Sequence, residues 1–174
     1  FGMLGDPGVS KRLREIRRQM QLPQDEDVQT RLEETDPSVA NQFRYLWTTA
    51  GYPVYTNTRV SYFPEAKDAF RAMKAELEKA EQFIFMEYFI VSNGIIWQKV
   101  LEILTRKVKQ GVEVRLLFDD FGTLRINTHE FRKDIETRGI KMIIFNPIHK
   151  NVARLSFNYR NHQKITVVDG DVGY

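Results

Sequence analysis

Residues 83–118 have the sequence FIFMEYFIVSNGIIWQKVLEILTRKVKQGVEVRLLF, and this stretch decides the fold class. Phe83–Val91 is a nearly continuous apolar run of strand length, which is typical of a strand buried on both faces. From about Ile95 onward, apolar residues recur at three- and four-residue spacing, which indicates a helix, and Gly111 stands where a C-terminal cap is expected. Val112–Phe118 has the pattern of a second strand. The stretch therefore predicts a strand–helix–strand unit.

The alternation of strand and helix patterns continues on both sides of this unit. The further elements expected are a strand, two helices and two more strands, at Arg59–Phe63, 64–81, 127–138, Ile140–Phe145 and Gln163–Val168. Such alternation predicts an α/β fold. Right-handed crossovers are expected to place helices on both faces of a largely parallel, mixed sheet. The α/β domain is expected to span residues 51–174.

The composition places the chain among folded proteins and excludes several kinds of site. Apolar residues make up 42% and charged residues 28% of the 174 residues, enough for one domain or one domain with an extension. The absence of cysteine excludes disulfides and thiolate ligands, and the three histidines lack zinc-site spacing, so neither metal nor cofactor is expected. No stretch approaches the roughly 20 apolar residues of a transmembrane helix. The net charge of +3 is too small to indicate a nucleic-acid partner.

Residues 1–50 differ in composition from the rest and are interpreted as an appendage with low intrinsic order. Residues 10–20 hold five basic side chains and one acidic one, with apolar residues at helical spacing. An acidic, turn-rich stretch follows as far as Pro37. The basic run is either a solvated helix face or a surface that attracts anionic lipid head groups.

Residues 158–170, with the sequence NYRNHQKITVVDG, carry the candidate chemistry. Because side chains alternate along a strand, His162 and Lys164 are expected to project from one face, with Ile165 directed into the core. Together with Arg160 they would form an anion-binding patch at a strand edge. Neutral imidazole can attack phosphorus to give a phosphohistidine. The stretch therefore indicates phosphoryl transfer, which requires charge stabilisation and a nucleophile.

The spacing of this motif is more informative than its residues alone. A lone His-x-Lys pair in a strand is usually an ordinary exposed edge. Here His162, Lys164 and Asp169 are separated by one and four residues, and Gly170 follows a β-branched run, which is a restrictive pattern. Asp169 comes at the turn after the strand, where its carboxylate could bond to the backbone or orient its neighbours.

Two more carboxylates are candidates for the same site. Glu87 interrupts an apolar strand and Asp119 ends the next one, and a buried charge is costly unless it is paired. Each either belongs to a site at the carboxyl ends of the strands or pairs with a cation. Asp120 is interpreted as simple loop polarity. His129 and His149 are expected to be exposed and inert.

The motif resembles the catalytic motif of the phospholipase D superfamily, and longer blocks resemble bacterial cardiolipin synthases over about residues 52–174. The blocks are FPEAKDAF at 63–70, EYFI at 87–90, GVEVR at 111–115, DDFG at 119–122 and NYRNHQKI at 158–165. The resemblance implies an enzyme that joins two phosphatidylglycerol molecules into cardiolipin and releases glycerol, without a metal ion.

By the same resemblance, His162 is the histidine of the first motif and the expected nucleophile, and Lys164 binds phosphate oxygens. Asp169 completes the motif as a structural or orienting carboxylate. Further candidates for binding substrate are Arg160, Asn161, Glu87 and Asp119.

The chain also departs from the family, which has two such motifs where this chain has one. The resemblance then implies a truncated phospholipase D-like half-domain, inactive alone, whose partners are the second catalytic half of the same parent chain and an anionic membrane surface. It places the protein at the cytoplasmic face of the cell membrane. One alternative is a single-motif phosphodiesterase or nuclease that acts as a homodimer. Another is a non-catalytic membrane-associated module. The modest charge argues against the nuclease.

Overall fold

The computed structural model describes residues 25–148 and 159–174, together with residues 15, 16 and 19. The chain divides into two compact units, Phe1–Tyr62 and Phe63–Tyr174. Among the described residues, no helix has both the length and the apolar character needed to cross a membrane. Most of the basic run at residues 10–20 lies outside the described residues.

The first unit contains two helices, α1 (Glu26–Thr35) and α2 (Pro37–Ala50). In each case the side chain of the preceding aspartate, Asp25 or Asp36, accepts hydrogen bonds from two backbone N–H groups of the first turn. The expectation of low intrinsic order is therefore wrong for residues 26–50. Acidic residues of the turn-rich stretch act as N-caps, and Pro37 occupies a position where proline favours a helix.

The second unit is an α/β domain. Its elements are α3 (Ala66–Lys79), β1 (Phe83–Tyr88), α4 (Ile95–Lys109), β2 (Glu113–Asp119), α5 (Asp120–Thr123), α6 (His129–Thr137), β3 (Lys141–Phe145), β4 (Lys164–Val168) and β5 (Val172–Gly173). The described strands form one sheet in the order β3–β2–β1–β4–β5. The first three are parallel to one another, whereas β4 is antiparallel to both β1 and β5. The prediction of an α/β fold with a largely parallel, mixed sheet is confirmed.

One face of the sheet packs against α3, α4 and α6. The core between them contains buried side chains from all these elements, among them Leu77, Ile84, Leu104, Leu116, Phe118, Ile135 and Val168. Helices were expected on both faces, but the described helices of this unit's core share one. The reason is that β1, β2 and β3 lie side by side in chain order, so right-handed crossovers place successive helices on the same side.

The opposite face of the sheet carries apolar residues that are partly or largely exposed. Ile143 of β3 is 65% exposed and Ile165 of β4 is 36% exposed, whereas Thr166 and Val168 are 0% and 4% exposed. The expectation that Ile165 points into the core is therefore wrong. The alternation of side chains along β4 was predicted, but the face that the helices cover was assigned the wrong way round.

One expected strand is absent, and one helix begins later than the sequence predicts. Residues 59–63 form no strand, and Val60 and Tyr62 are 86% and 87% exposed. The helix expected from Asn127 begins at His129, because the Thr128 hydroxyl is the N-cap and accepts a hydrogen bond from the Phe131 N–H at 3.2 Å.

At one edge of the sheet the parallel strands β1, β2 and β3 end and the antiparallel strand β4 begins. In the register of the sheet, Tyr88 at the end of β1 lies opposite Lys164 at the start of β4. Asp119 ends β2 beside them. This edge positions the candidate site.

Candidate functional site

His162 and Lys164 lie together at this edge of the sheet. His162 precedes β4, Lys164 is its first residue, and both side chains are exposed. The Lys164 Nζ lies 3.0 Å from His162 Nδ1 and donates a hydrogen bond to the His162 carbonyl oxygen at 2.7 Å. Residues of these two types in this arrangement offer a cation and an imidazole to one anionic group.

The ring of Phe89 supports both side chains. Its centroid lies 4.6 Å from that of His162, and Lys164 Nζ lies 5.7 Å from it. Phe89 directly follows β1 and donates its backbone N–H to the carbonyl oxygen of Gln163 at 3.1 Å, which extends the pairing of the strands. The His–Lys pair is thus held by contact with the Phe89 ring and by the backbone bond between Phe89 and Gln163.

Asn161 anchors the segment that carries His162. Its backbone N–H donates to Asp119 Oδ2 at 2.9 Å, its side-chain Nδ2 donates to Glu87 Oε1, and its Oδ1 accepts from the Gln163 N–H at 3.2 Å. The segment is therefore tied to the ends of both β1 and β2. Because Asn161 directly precedes His162, these bonds fix the backbone position from which the imidazole projects.

Asp119 is fully buried, and its charge is compensated locally. Besides Asn161, its carboxylate accepts from the Phe121 N–H at 2.9 Å and from Arg160 Nη1 at 3.4 Å. Arg160 Nη1 also donates to the Asn146 carbonyl oxygen at 2.9 Å. A buried carboxylate that keeps its charge requires such partners. The four candidate substrate-binding residues thus form one network behind the His–Lys pair.

Asp120 is a residue whose importance the sequence reasoning missed. It is 5% exposed, and its carboxylate accepts hydrogen bonds from Asn127 Nδ2 at 2.5 Å and from the Ile148 N–H at 2.8 Å. The interpretation as simple loop polarity is wrong, because the side chain joins two loops at the same strand edge. Its position directly after a buried strand, beside Asp119, was the available signal.

The remaining histidines are His129 and His149. His129 is exposed in the first turn of α6, as predicted, and His149 lies outside the described residues. Within residues 25–148 and 159–174, no three His, Asp or Glu side chains are grouped to hold a metal ion.

Asp169 lies at the far end of β4 from His162. Its carboxylate accepts hydrogen bonds from the backbone N–H groups of Glu81, Gln82 and Phe83 at 2.7–2.9 Å, and so clamps the chain where it enters β1. Partial burial acts to raise the pKa of Asp169, but these three donors outweigh it and hold the pKa below its ordinary 3.8. The motif aspartate is thus placed for a structural role and does not meet the His–Lys pair.

We expect Asp169→Ala to lower the free energy of unfolding by about 2 kcal/mol, since three donors lose a charged acceptor and two of them can turn to water. Asp169→Asn should cost about half as much, because it keeps one oxygen. A lowered pKa in the folded state means that the stabilisation is complete above pH 5 and disappears as the pH falls below 3.8. Urea unfolding at pH 7 and pH 3 measures this.

The exposed neighbour Asp171 provides the control for that experiment, because Asp171→Asn changes the same turn without touching the three donors. A penalty for Asp169→Asn that is as large at pH 3 as at pH 7 would contradict the role of the ionised carboxylate.

Comparison with known proteins places this edge in context. No family model matches the chain. It is 41% identical over 150 residues to an uncharacterized protein of Streptococcus mutans, covering 86% of this chain and 32% of that protein. It is 34% identical over 131 residues to the cardiolipin synthase of Geobacillus kaustophilus, covering 75% of this chain and 26% of that enzyme.

Among solved structures, Nuc from Salmonella typhimurium, a phospholipase D family member, aligns with a TM-score of 0.41 and 19% identity, over 64% of this chain and 63% of that one. The chain spans only about a quarter to a third of the length of these two sequence relatives. Over three quarters of its own length, the chain is homologous to one region of the bacterial cardiolipin synthases.

Proposed function

We propose that the chain supplies the first histidine–lysine motif of a phosphatidyltransferase that makes cardiolipin from two phosphatidylglycerol molecules. The observation that carries the proposal is the exposed pair of His162 and Lys164, 3.0 Å apart at the strand edge, in a chain homologous to cardiolipin synthases. Phosphoryl transfer depends on positioning and charge stabilisation, and this pair offers both beside a nucleophile.

Binding of substrate must change which ring nitrogen of His162 carries the proton. An ammonium group only donates, so Nδ1 accepts from Lys164 Nζ in the tautomer that carries the ring proton on Nε2. A phosphodiester oxygen that takes over the Lys164 contacts releases Nδ1. The ring proton can then reside on Nδ1, which leaves the Nε2 lone pair for attack.

The proposed reaction then has two steps. Nε2 of His162 forms a bond to phosphorus, and the bond from phosphorus to the glycerol oxygen breaks, while the histidine of a second motif protonates the departing glycerol. A hydroxyl of the second phosphatidylglycerol then attacks phosphorus, gives its proton to that second histidine, and releases His162. Lys164 neutralises the charge on the phosphate oxygens in both steps.

The network behind the pair acts by positioning in this proposal. Glu87 and Asp119 accept hydrogen bonds from Asn161 in the segment before β4, and Arg160 joins the same network through Asp119. A misplacement of about 1 Å at a reacting group can cost about 100-fold in rate. These residues are therefore expected to affect the rate by fixing the position of His162.

The remaining partners of the proposal follow from the family. A second motif must face His162 across the phosphorus, and the lipid substrates place the site at a membrane surface. The basic run at residues 10–20 is the candidate for contact with anionic lipid, at the cytoplasmic face of the membrane. No nucleic acid is expected as a substrate.

The test is turnover of phosphatidylglycerol in detergent micelles, with the 174-residue chain and with a polypeptide that joins it to the remaining part of the G. kaustophilus enzyme. We expect cardiolipin and glycerol from the joined polypeptide without added metal, and none from the chain alone, because one motif lacks a proton donor on the far side of phosphorus. Cardiolipin formation by a monomer of the 174-residue chain would contradict this. Cleavage of DNA by a dimer of the chain, with no action on lipid, would favour the nuclease.

A further inference from the structure

We propose that a cavity beside the His–Lys pair binds one acyl chain of a phospholipid substrate. The cavity has a volume of about 560 Å³, within the range of small-molecule sites. Its walls come from β1, α3 and α4, and the main side chains are Met73, Met86, Tyr88, Trp97 and Val100. The Tyr88 hydroxyl is 2.9 Å from Thr166 Oγ1, so this polar group is satisfied by the protein. The wall therefore suits a hydrocarbon.

The cavity lies on the same face and at the same edge of the sheet as Lys164. Tyr88 lines the cavity and stands opposite Lys164 in the register of β1 and β4. Paired residues in an antiparallel ladder have Cβ atoms about 5 Å apart and share one face. A phosphate held by Lys164 would thus lie next to an apolar cavity. This arrangement matches a phospholipid, in which a charged phosphate is joined to apolar acyl chains.

The mouth of the cavity is formed by large apolar side chains that solvent reaches. Ile90, Ile95 and Ile96 line it and are 60%, 77% and 62% exposed. Such a cluster is costly to leave in water and marks a surface that contacts an apolar partner. Because these residues continue into the cavity wall, one occupant that covers the rim and fills the interior accounts for both.

This inference rests on the proposed function, since it names where the lipid of that reaction would place an acyl chain. Each methylene that enters the cavity is expected to increase affinity up to about fourfold. A cavity that accepts one chain therefore predicts binding that tightens with chain length, until the chain is longer than the cavity.

The experiment uses the whole chain with Trp47→Phe, so that Trp97 in the cavity wall is the sole tryptophan. Dihexanoyl-, diheptanoyl- and dioctanoyl-phosphatidylglycerol are titrated below their micelle concentrations while Trp97 fluorescence is recorded. We expect about tenfold tighter binding for the dioctanoyl than for the dihexanoyl lipid. A dioctanoyl lipid brominated at the chain ends should quench Trp97 directly. Equal affinities for all three lipids, or no quenching, would overturn the proposal.

Ile96→Asn and Ile143→Asn form a matched pair of variants. The two isoleucines are 62% and 65% exposed, but only Ile96 lines this cavity, whereas Ile143 lies on the opposite face of the sheet. Ile96→Asn should weaken binding of the dioctanoyl lipid several-fold, and Ile143→Asn should leave it unchanged. Equal losses in the two variants would contradict a specific cavity.

Lys164→Met separates this inference from the proposed function. If both hold, the substitution weakens the binding of all three lipids by the same factor and leaves the dependence of affinity on chain length intact. A dependence on chain length with no effect of Lys164→Met would sustain the cavity and count against the phosphate site. An effect of Lys164→Met without any dependence on chain length would sustain the phosphate site and overturn the cavity.

Discussion

Replacement of His162 by alanine in the joined polypeptide should reduce cardiolipin formation at least about 1,000-fold, because it removes the proposed nucleophile itself. Lys164→Ala should reduce the rate constant about 100- to 1,000-fold, since the charge on the phosphate oxygens then develops without its counter-ion. The measurement is the initial rate of cardiolipin formation from labelled phosphatidylglycerol at saturating substrate. The decline should lie in kcat, because the bond to phosphorus forms after binding.

The matched control for His162→Ala is His129→Ala. His129 is an exposed histidine in the first turn of α6 and takes no part in the described contacts of His162 and Lys164, so its loss should leave the rate within about twofold. A second control is denaturation of each variant, which should show His162→Ala as stable as the unsubstituted protein, since the side chain is exposed. Retention of activity by His162→Ala would end the proposed mechanism.

The class of fold could be predicted because the apolar patterns are long and distinct. The strands at 83–91 and 112–118 and the helix between them were expected within a few residues of where they lie. The patterns do not indicate which face of the sheet the helices cover. Strand alternation gives two equivalent faces, and only the packing of α3, α4 and α6 decides that Thr166, not Ile165, is buried.

The candidate site was partly predictable for a related reason. Glu87, Asp119 and Asn161 meet because strand ends gather at one edge, and that follows from the order of the elements. Asp169 belongs to the same sequence motif as His162, and it was expected just past the strand as a structural or orienting carboxylate that could bond to the backbone. Its bonds to the backbone of Glu81, Gln82 and Phe83 agree with the structural role. A strand of five residues lies between Asp169 and His162, and at about 3.3 Å per residue it carries them to opposite edges of the sheet.

Gly122 is a residue that sequence reasoning could not have assigned a role, because the contact it permits is made by a distant backbone. A β-carbon at this position would lie 1.9 Å from the carbonyl oxygen of Phe89 and 2.6 Å from its carbonyl carbon. Neither atom can move without shifting the chain that follows β1. Gly122 therefore allows α5 to pack directly onto the segment that supports the His–Lys pair.

We expect Gly122→Ala to lower the free energy of unfolding by about 2–3 kcal/mol, because the overlap is with backbone and cannot be relieved by a side-chain rotation. It should also lower the rate of cardiolipin formation more than its loss of stability explains, since Phe89 would be displaced and its ring lies 4.6 Å from that of His162. The measurements are thermal unfolding, and the rate at a temperature where the variant is fully folded.

Gly173→Ala is the matched control for Gly122→Ala. Gly173 lies in β5 of the same sheet, and a β-carbon there meets no atom within 4 Å. That substitution should change the free energy of unfolding by less than about 0.5 kcal/mol and leave the rate unchanged. If Gly122→Ala behaved as Gly173→Ala does, the close approach of α5 to Phe89 would have no part in holding His162, and the placement of the imidazole would depend on Asn161 and its two carboxylate partners alone.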